Sequence, residues 1–161
     1  MPNNVVNILT ANGSKEVVKK FYQSIKGDHE LIDFNCIIPM PEQVKYGDND
    51  YCEWARENWG TKWNAYESER IDDYTIRFET AWSGIPELIG TLSENWPELV
   101  FDYMFADEDY SYNTGSGWIQ NGILNMYYPD GDSEDGWDIY FQTHEGMREQ
   151  FEYKNGTYEL I

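Results

Sequence analysis

The side chains in this chain best equipped for chemistry are carboxylates placed close to indoles and phenols. Asp107-Glu108-Asp109 and Asp72-Asp73 offer paired acids, and glycoside hydrolysis uses two carboxyls held about 5–10 Å apart beside a sugar ring. Trp59, Lys62, Trp63 and Trp82 form a possible aromatic ligand shelf, in which an ammonium lies over an indole face. Against both stands the ordinary behaviour of these residues: adjacent acids in turns stay charged and solvated, and tryptophans serve packing. Asp130, Asp132, Glu134 and Asp135 approach the opening of a calcium loop. The pattern fails where glycine is needed, at Asp135, and where a bidentate Glu is needed, at Phe141. A solvated loop is the reading adopted. His29, His144, Cys36 and Cys52 fall in no metal-ligand spacing, and no nucleophile elbow, phosphate loop or dinucleotide fingerprint occurs. The expectation is therefore no catalytic residue, no metal and no cofactor.

The acids matter more as a population. Thirty Asp and Glu against eleven Lys and Arg in 161 residues leave a formal net charge of -19. A field of that sign attracts basic surfaces and repels free nucleic acid and anionic lipid, which disfavours direct nucleic-acid or membrane binding. Seven Trp, thirteen Tyr and seven Phe are too many for a disordered acidic tail, so the chain folds. Its start lacks a signal peptide's basic residues and apolar stretch, and no run approaches transmembrane length. With Cys36 and Cys52 read as reduced thiols, the expected location is the cytoplasm. The length fits a single domain over 1–161.

Behind these side chains lies an alternation of strands and helices. Val5 to Thr10 reads as a first strand. Ser14 caps a helix with Val17, Val18, Phe21, Tyr22 and Ile25 on one face and Lys15, Lys19, Lys20 and Lys26 on the other. Leu31 to Met40 reads as a second strand, followed by a polar stretch through Asn49. A helix starting near Asp50 ends at Gly60. Tyr74 to Trp82 is the third strand, Pro86 opens another helix, and Leu99 to Phe105 is the fourth strand. From about 106 to 161 the pattern becomes all-β. Asn121-Gly122 and Asn155-Gly156 mark two hairpins, since both central residues of such turns need positive φ. Trp137 to Thr143 supplies a further strand, after an acidic loop over Pro129 to Gly136. The order predicts an α+β fold: a ferredoxin-like split βαβ sandwich. Its antiparallel sheet carries helices on one face, a helical insertion after the second strand and extra C-terminal β-hairpins.

Several segments carry a resemblance. Glu57-Asn58-Trp59-Gly60-Thr61-Lys62-Trp63-Asn64-Ala65, then Phe78-Glu79-Thr80-Ala81-Trp82-Ser83 and Pro86, resemble the ferredoxin-like domain family of phage, plasmid and other mobile-element proteins that includes YubB. Asn3-Asn4-Val5-Val6-Asn7-Ile8 and Ile38-Pro39-Met40-Pro41 are similar to it as well, so the likeness spans roughly residues 2 to 128. It implies a fold and a mobile-element setting, and brings no catalytic residue with it.

Two functions follow as expectations. The first is a non-enzymatic binding protein presenting an acidic face, made of Asp102, Asp107, Glu108, Asp109, Asp130, Asp132, Glu134, Asp135 and Asp138, to a basic host protein. That partner would itself bind nucleic acid, and the carboxylates would imitate phosphates. The alternative is a small-ligand or glycan-binding module, extending to a carboxylate-based hydrolase, built on the shelf of Trp59, Lys62, Trp63 and Trp82.

Overall fold

A computed structural model describes residues 1–45 and 50–161. Tyr46 to Asn49, in the polar stretch read from the sequence, lie outside the described residues. Strand β1 (Asn4–Asn12) leads into helix α1 (Lys15–Ile25), whose first turn is capped by the Ser14 hydroxyl accepting from the Val17 N–H. After a 3-10 turn at Phe34–Cys36 come the short α2 (Glu42–Lys45) and α3 (Asp50–Asn58). Then follow β2 (Tyr66–Arg70), β3 (Thr75–Ala81), α4 (Pro86–Ser93) and β4 (Val100–Asp107). The remainder is β5 (Thr114–Gln120), β6 (Ile123–Tyr127), α5 (Glu134–Thr143), β7 (Phe151–Lys154) and β8 (Thr157–Leu160).

The main sheet runs β2-β3-β1-β4-β5-β6 and is antiparallel throughout. Its first four strands, with α1 and α4 as crossovers, have the order of a split βαβ sandwich. Period-two alternation decides what each face buries. Val5, Leu9 and Ala11 of β1 and Phe101, Tyr103 and Phe105 of β4 point into the main core with Phe21, Ile25, Leu88 and Ile89 from the helices. At its centre Asn7 is fully buried. Its amide donates to the Val5 carbonyl and the Thr80 hydroxyl, and its Oδ1 accepts from Tyr103 Oη. Tyr103 Oη in turn accepts the Ile85 N–H at the start of α4, tying that helix to the sheet.

The ferredoxin-like arrangement, the α+β class and the C-terminal hairpin hold. Both Asn-Gly turns have positive φ at each residue, at Asn121 and Gly122 and at Asn155 and Gly156. Three expectations need correction. Leu31 to Met40 is not a strand. Asp33 caps a 3-10 turn there, and Ile32, Phe34 and Met40 plug the core without pairing to any strand. The second strand is instead β2, an edge strand too polar (Tyr-Glu-Ser-Glu-Arg) to show a buried face, so the helical insertion precedes the second strand. Finally, Trp137 to Thr143 is helix, not strand. Ser133 Oγ accepts the Gly136 N–H, Glu134 and Asp135 favour the positive end of the dipole, and Trp137 and Tyr140 recur at helical spacing. Helix α5 packs on the opposite face of the sheet from α1 and α4, against Ala106 and Met104 and under Phe151 and Tyr158 of the β7-β8 hairpin. Helices therefore occupy both faces.

Candidate interaction surface

The face that carries α5 is only partly covered by it. Antiparallel register places Asn125, Trp118, Asp102 and Thr10 in one row across β6, β5, β4 and β1, with Tyr127, Ser116 and Met104 in the next. Met104 lies under α5, but beyond it the sheet is open. Trp118 is 39 % exposed, Tyr127 55 % and Ile123 62 %. Their neighbours Leu124 and Met126 point the other way and pack on the main core, so the outward apolar residues are not needed for folding. Carboxylates flank the patch. Asp102 stands beside Trp118 in the row, and Asp135 accepts a hydrogen bond from Tyr127 Oη at 2.9 Å, which pushes the phenol pKa up. Asp138 follows one turn later on the outer side of α5.

The nine acids expected to form one face are not equivalent. Asp107 is 5 % exposed and structural: its carboxylate accepts from Asn3 Nδ2, Asn113 Nδ2 and the Asp109 N–H. It is withdrawn from the surface because burial saturates both its oxygens. Glu108 is exposed but accepts the Asn4 N–H. Asp132 Oδ1 accepts from Trp137 Nε1 and from the Thr157 hydroxyl, which holds its carboxyl below the usual range and pins α5 to the final hairpin. Asp132 also donates its N–H to Ser111 Oγ, so the loop after β4 and the start of α5 are neighbours. Asp109 and Asp130 are exposed on those two loops, and Glu134 and Asp138 lie one turn apart on the outer side of α5. Asp102 sits five residues from Asp107 along β4, about 17 Å away, and joins the surface through Trp118 rather than through the loop acids. The structure thus brings Asp102 and Asp135 beside an aromatic centre, while Asp138 is exposed elsewhere on α5 and the loop acids lie apart from it. Trp118, Ile123 and Tyr127 were missed in the sequence. Apolar residues on both parities of β6 signal it only once β6 is known to be an edge strand.

The aromatic shelf divides in the same way. Trp59 is 1 % exposed, donates Nε1–H to the Ile38 carbonyl and packs edge-on against Phe34 and Trp54. It belongs to the core, because α3 and its Gly60 terminus turn it inward. Lys62, Trp63 and Trp82 do come together. The ammonium sits 4.9 Å from the Trp63 ring and 4.4 Å from that of Trp82, and Trp82 is held at φ 70° by hydrogen bonds to Asn3 and Asn113. An apolar concavity of about 500 Å³ opens beside it, lined by Pro2, Asn4, Tyr51, Trp63, Asn64 and Tyr66. Among the described residues no three His, Cys, Asp or Glu are grouped to hold a metal ion, and no helix is long and apolar enough to cross a membrane.

Comparison with known proteins concerns the body of the chain. No curated protein matches it. The crystal structure of a protein api92 from Yersinia pseudotuberculosis is similar at 17 % identity and a TM-score of 0.43, over 60 % of this chain and 39 % of that one. This chain therefore spans well under half the length of that protein. A family model described as a ferredoxin-like domain in Api92-like protein matches residues 58–152, which run from the end of α3 into β7 and contain Trp118, Ile123 and Tyr127. On that match, and with the split βαβ order of its sheet, the chain belongs to the family of ferredoxin-like domains of Api92-like proteins.

Proposed function

We propose that this chain is a non-enzymatic binding protein of a phage or other mobile element. It acts in the host cytoplasm by docking its open face on a basic, nucleic-acid-binding surface of a host protein such as a defence-system component. It would inhibit that partner as a nucleic-acid mimic. The observation that carries the reading is Trp118 and Tyr127 exposed on the sheet with Asp102 and Asp135 beside them. Exposed indole and phenol rings are the usual anchors of an interface, and carboxylates at their rim select a partner rich in Lys and Arg. The net charge of -19 strengthens that selection at close approach and speeds encounter at low salt, where screening is weak. The mobile-element setting rests on the sequence resemblance.

The test is affinity capture from host lysate at low salt, followed by binding measurements on the purified partner. The expected partner is basic. Its affinity falls steeply between about 50 mM and 0.5 M salt, nucleic acid competes for it, and Trp118→Ala weakens it by about tenfold or more. Binding indifferent to salt, or unaffected by both Trp118→Ala and Asp102→Asn, refutes the proposal.

The concavity beside Trp63 favours a second reading, a small-ligand module. Among the described residues no carboxylate lines it, so it suits binding rather than glycoside hydrolysis. Trp fluorescence titrated with oligosaccharides checks it, with loss of the signal in Trp63→Ala as the expected outcome.

A further inference from the structure

The chain's few cations are not spread evenly. Lys15, Lys19, Lys26 and Arg70, four of its eleven Lys and Arg, line a single cleft of about 500 Å³ between α1 and the end of β2. Tyr22 and Leu31 are its apolar lining. The arrangement runs against two local preferences. Lysines at the start of a helix oppose the dipole, yet Lys15 is the first residue of α1 and Lys19 lies one turn on. Like charges facing one cavity also repel, and here they do so without enough counter-charge. Among the described residues one acid, Asp73, lines the cleft, and it pairs with Lys15 at 3.5 Å. Of the other acids nearby, Glu16 pairs with Lys20, Glu30 accepts the Ser68 N–H and Asp72 accepts the Tyr74 N–H, and none of the three lines the cleft. Local rules broken together without a structural gain are what a functional site looks like.

We infer that this cleft binds an organic di- or triphosphate, with the phosphates held by Lys19, Lys26 and Arg70. The Arg70 guanidinium lies 5.0 Å over the Tyr22 ring, so its planar fork is already oriented before any anion arrives. Such a fork matches phosphate oxygens bidentately, whereas lysines act as point charges around it. The cleft's size falls in the range of small-molecule sites, about 300–1,000 Å³, and leaves room for an organic portion against Tyr22 and Leu31. The acidic remainder of the protein does not prevent this, since exposed charges beyond about 8 Å are screened at physiological salt.

Calorimetric titration of the full chain with ATP, inorganic pyrophosphate and adenosine, at about 0.15 M salt, tests the inference. ATP and pyrophosphate bind saturably with one site per chain, and adenosine does not. Lys19→Gln and Arg70→Gln each weaken ATP by about tenfold or more, while Lys20→Gln, on the same helix but outside the cleft, changes it by less than about twofold. Circular dichroism melting confirms that each variant is folded. Absence of saturable binding by either phosphate overturns the inference. So does equal loss in Lys20→Gln and Lys19→Gln, which would mark diffuse attraction to the helix. Binding of an acidic peptide or an oligonucleotide without binding of pyrophosphate overturns it as well.

Discussion

Removing one oxygen from the centre of the sheet tests whether α4 is held by the network around Asn7. In Tyr103→Phe the ring stays in the core, but two buried groups lose their partner at once. The Ile85 N–H, 2.8 Å from Tyr103 Oη, loses its acceptor, and Asn7 Oδ1, 2.5 Å away, loses its donor. Asn7 and Ile85 are 0 % and 1 % exposed, so water does not replace the hydroxyl. Each orphaned group costs about 1–3 kcal/mol, and the expected loss is therefore about 2–6 kcal/mol. Equilibrium unfolding in urea measures it, with Tyr153→Phe, at an exposed position of β7, as a comparator expected within about 0.5 kcal/mol of the parent. Asn7→Val in the Tyr103→Phe background closes a double-mutant cycle. Because the two residues share a hydrogen bond, the double variant should lose less than the two single losses combined. A cost below about 1 kcal/mol for Tyr103→Phe, or strict additivity in the cycle, refutes the argument that this network anchors the helix.

Two further outcomes follow from the geometry of the β5-β6 hairpin and of α5. Gly117→Ala places a Cβ 2.0 Å from the Asn125 carbonyl oxygen, a backbone atom that cannot give way, so β5 and β6 must part. The expected result is faster amide exchange across the hairpin and loss of partner binding, whereas Tyr153→Phe, exposed on the separate β7-β8 hairpin, leaves both unchanged. His144 supplies a pH dependence. Its ring is stacked 4.4 Å from Tyr140, and burial holds its pKa below the ordinary value of about 6.5. The unfolded chain then binds this proton more readily than the folded one. The contribution of His144 is complete above about pH 6.5 and declines as the pH falls toward the folded-state value. His144→Asn should flatten the dependence of the melting temperature on pH just below 6.5, and an unchanged slope would contradict the assignment.

How much of this was legible depended on how local each signal is. The Ser14 cap, the Val18-Phe21-Tyr22-Ile25 stripe and the two Asn-Gly turns act within a few residues, and they read correctly from the chain. Helix α5 was misread although its signals were present. Ser133 and Glu134 fall within a run that reads as an acidic loop, and aromatic residues such as Trp137 and Tyr140 suit a strand as well as a helix. Strand β2 had no signal to read, because an edge strand pairs through backbone groups that any side chain carries. At the site, the acids were visible as a population, but their roles were not. Asp107 and Asp109 are neighbours in sequence, yet one is sealed by three hydrogen bonds and the other faces water.

Residue order alone specifies an acidic, aromatic-rich α+β chain with four of its lysines gathered on the first helix and its tight turns in place. Charge, propensity and turn chemistry belong to single residues or short runs and need no distant partner to be expressed. The tertiary structure decided which aromatics became core and which became surface, sending Trp59 inward and leaving Trp118 and Tyr127 on an open face ringed by Asp102 and Asp135. It also closed Arg70 onto Tyr22, turning a lysine-bearing helix into one wall of a cleft. Those outcomes depend on which strands pair across scores of residues and on which face each helix lands, and no residue carries that information alone.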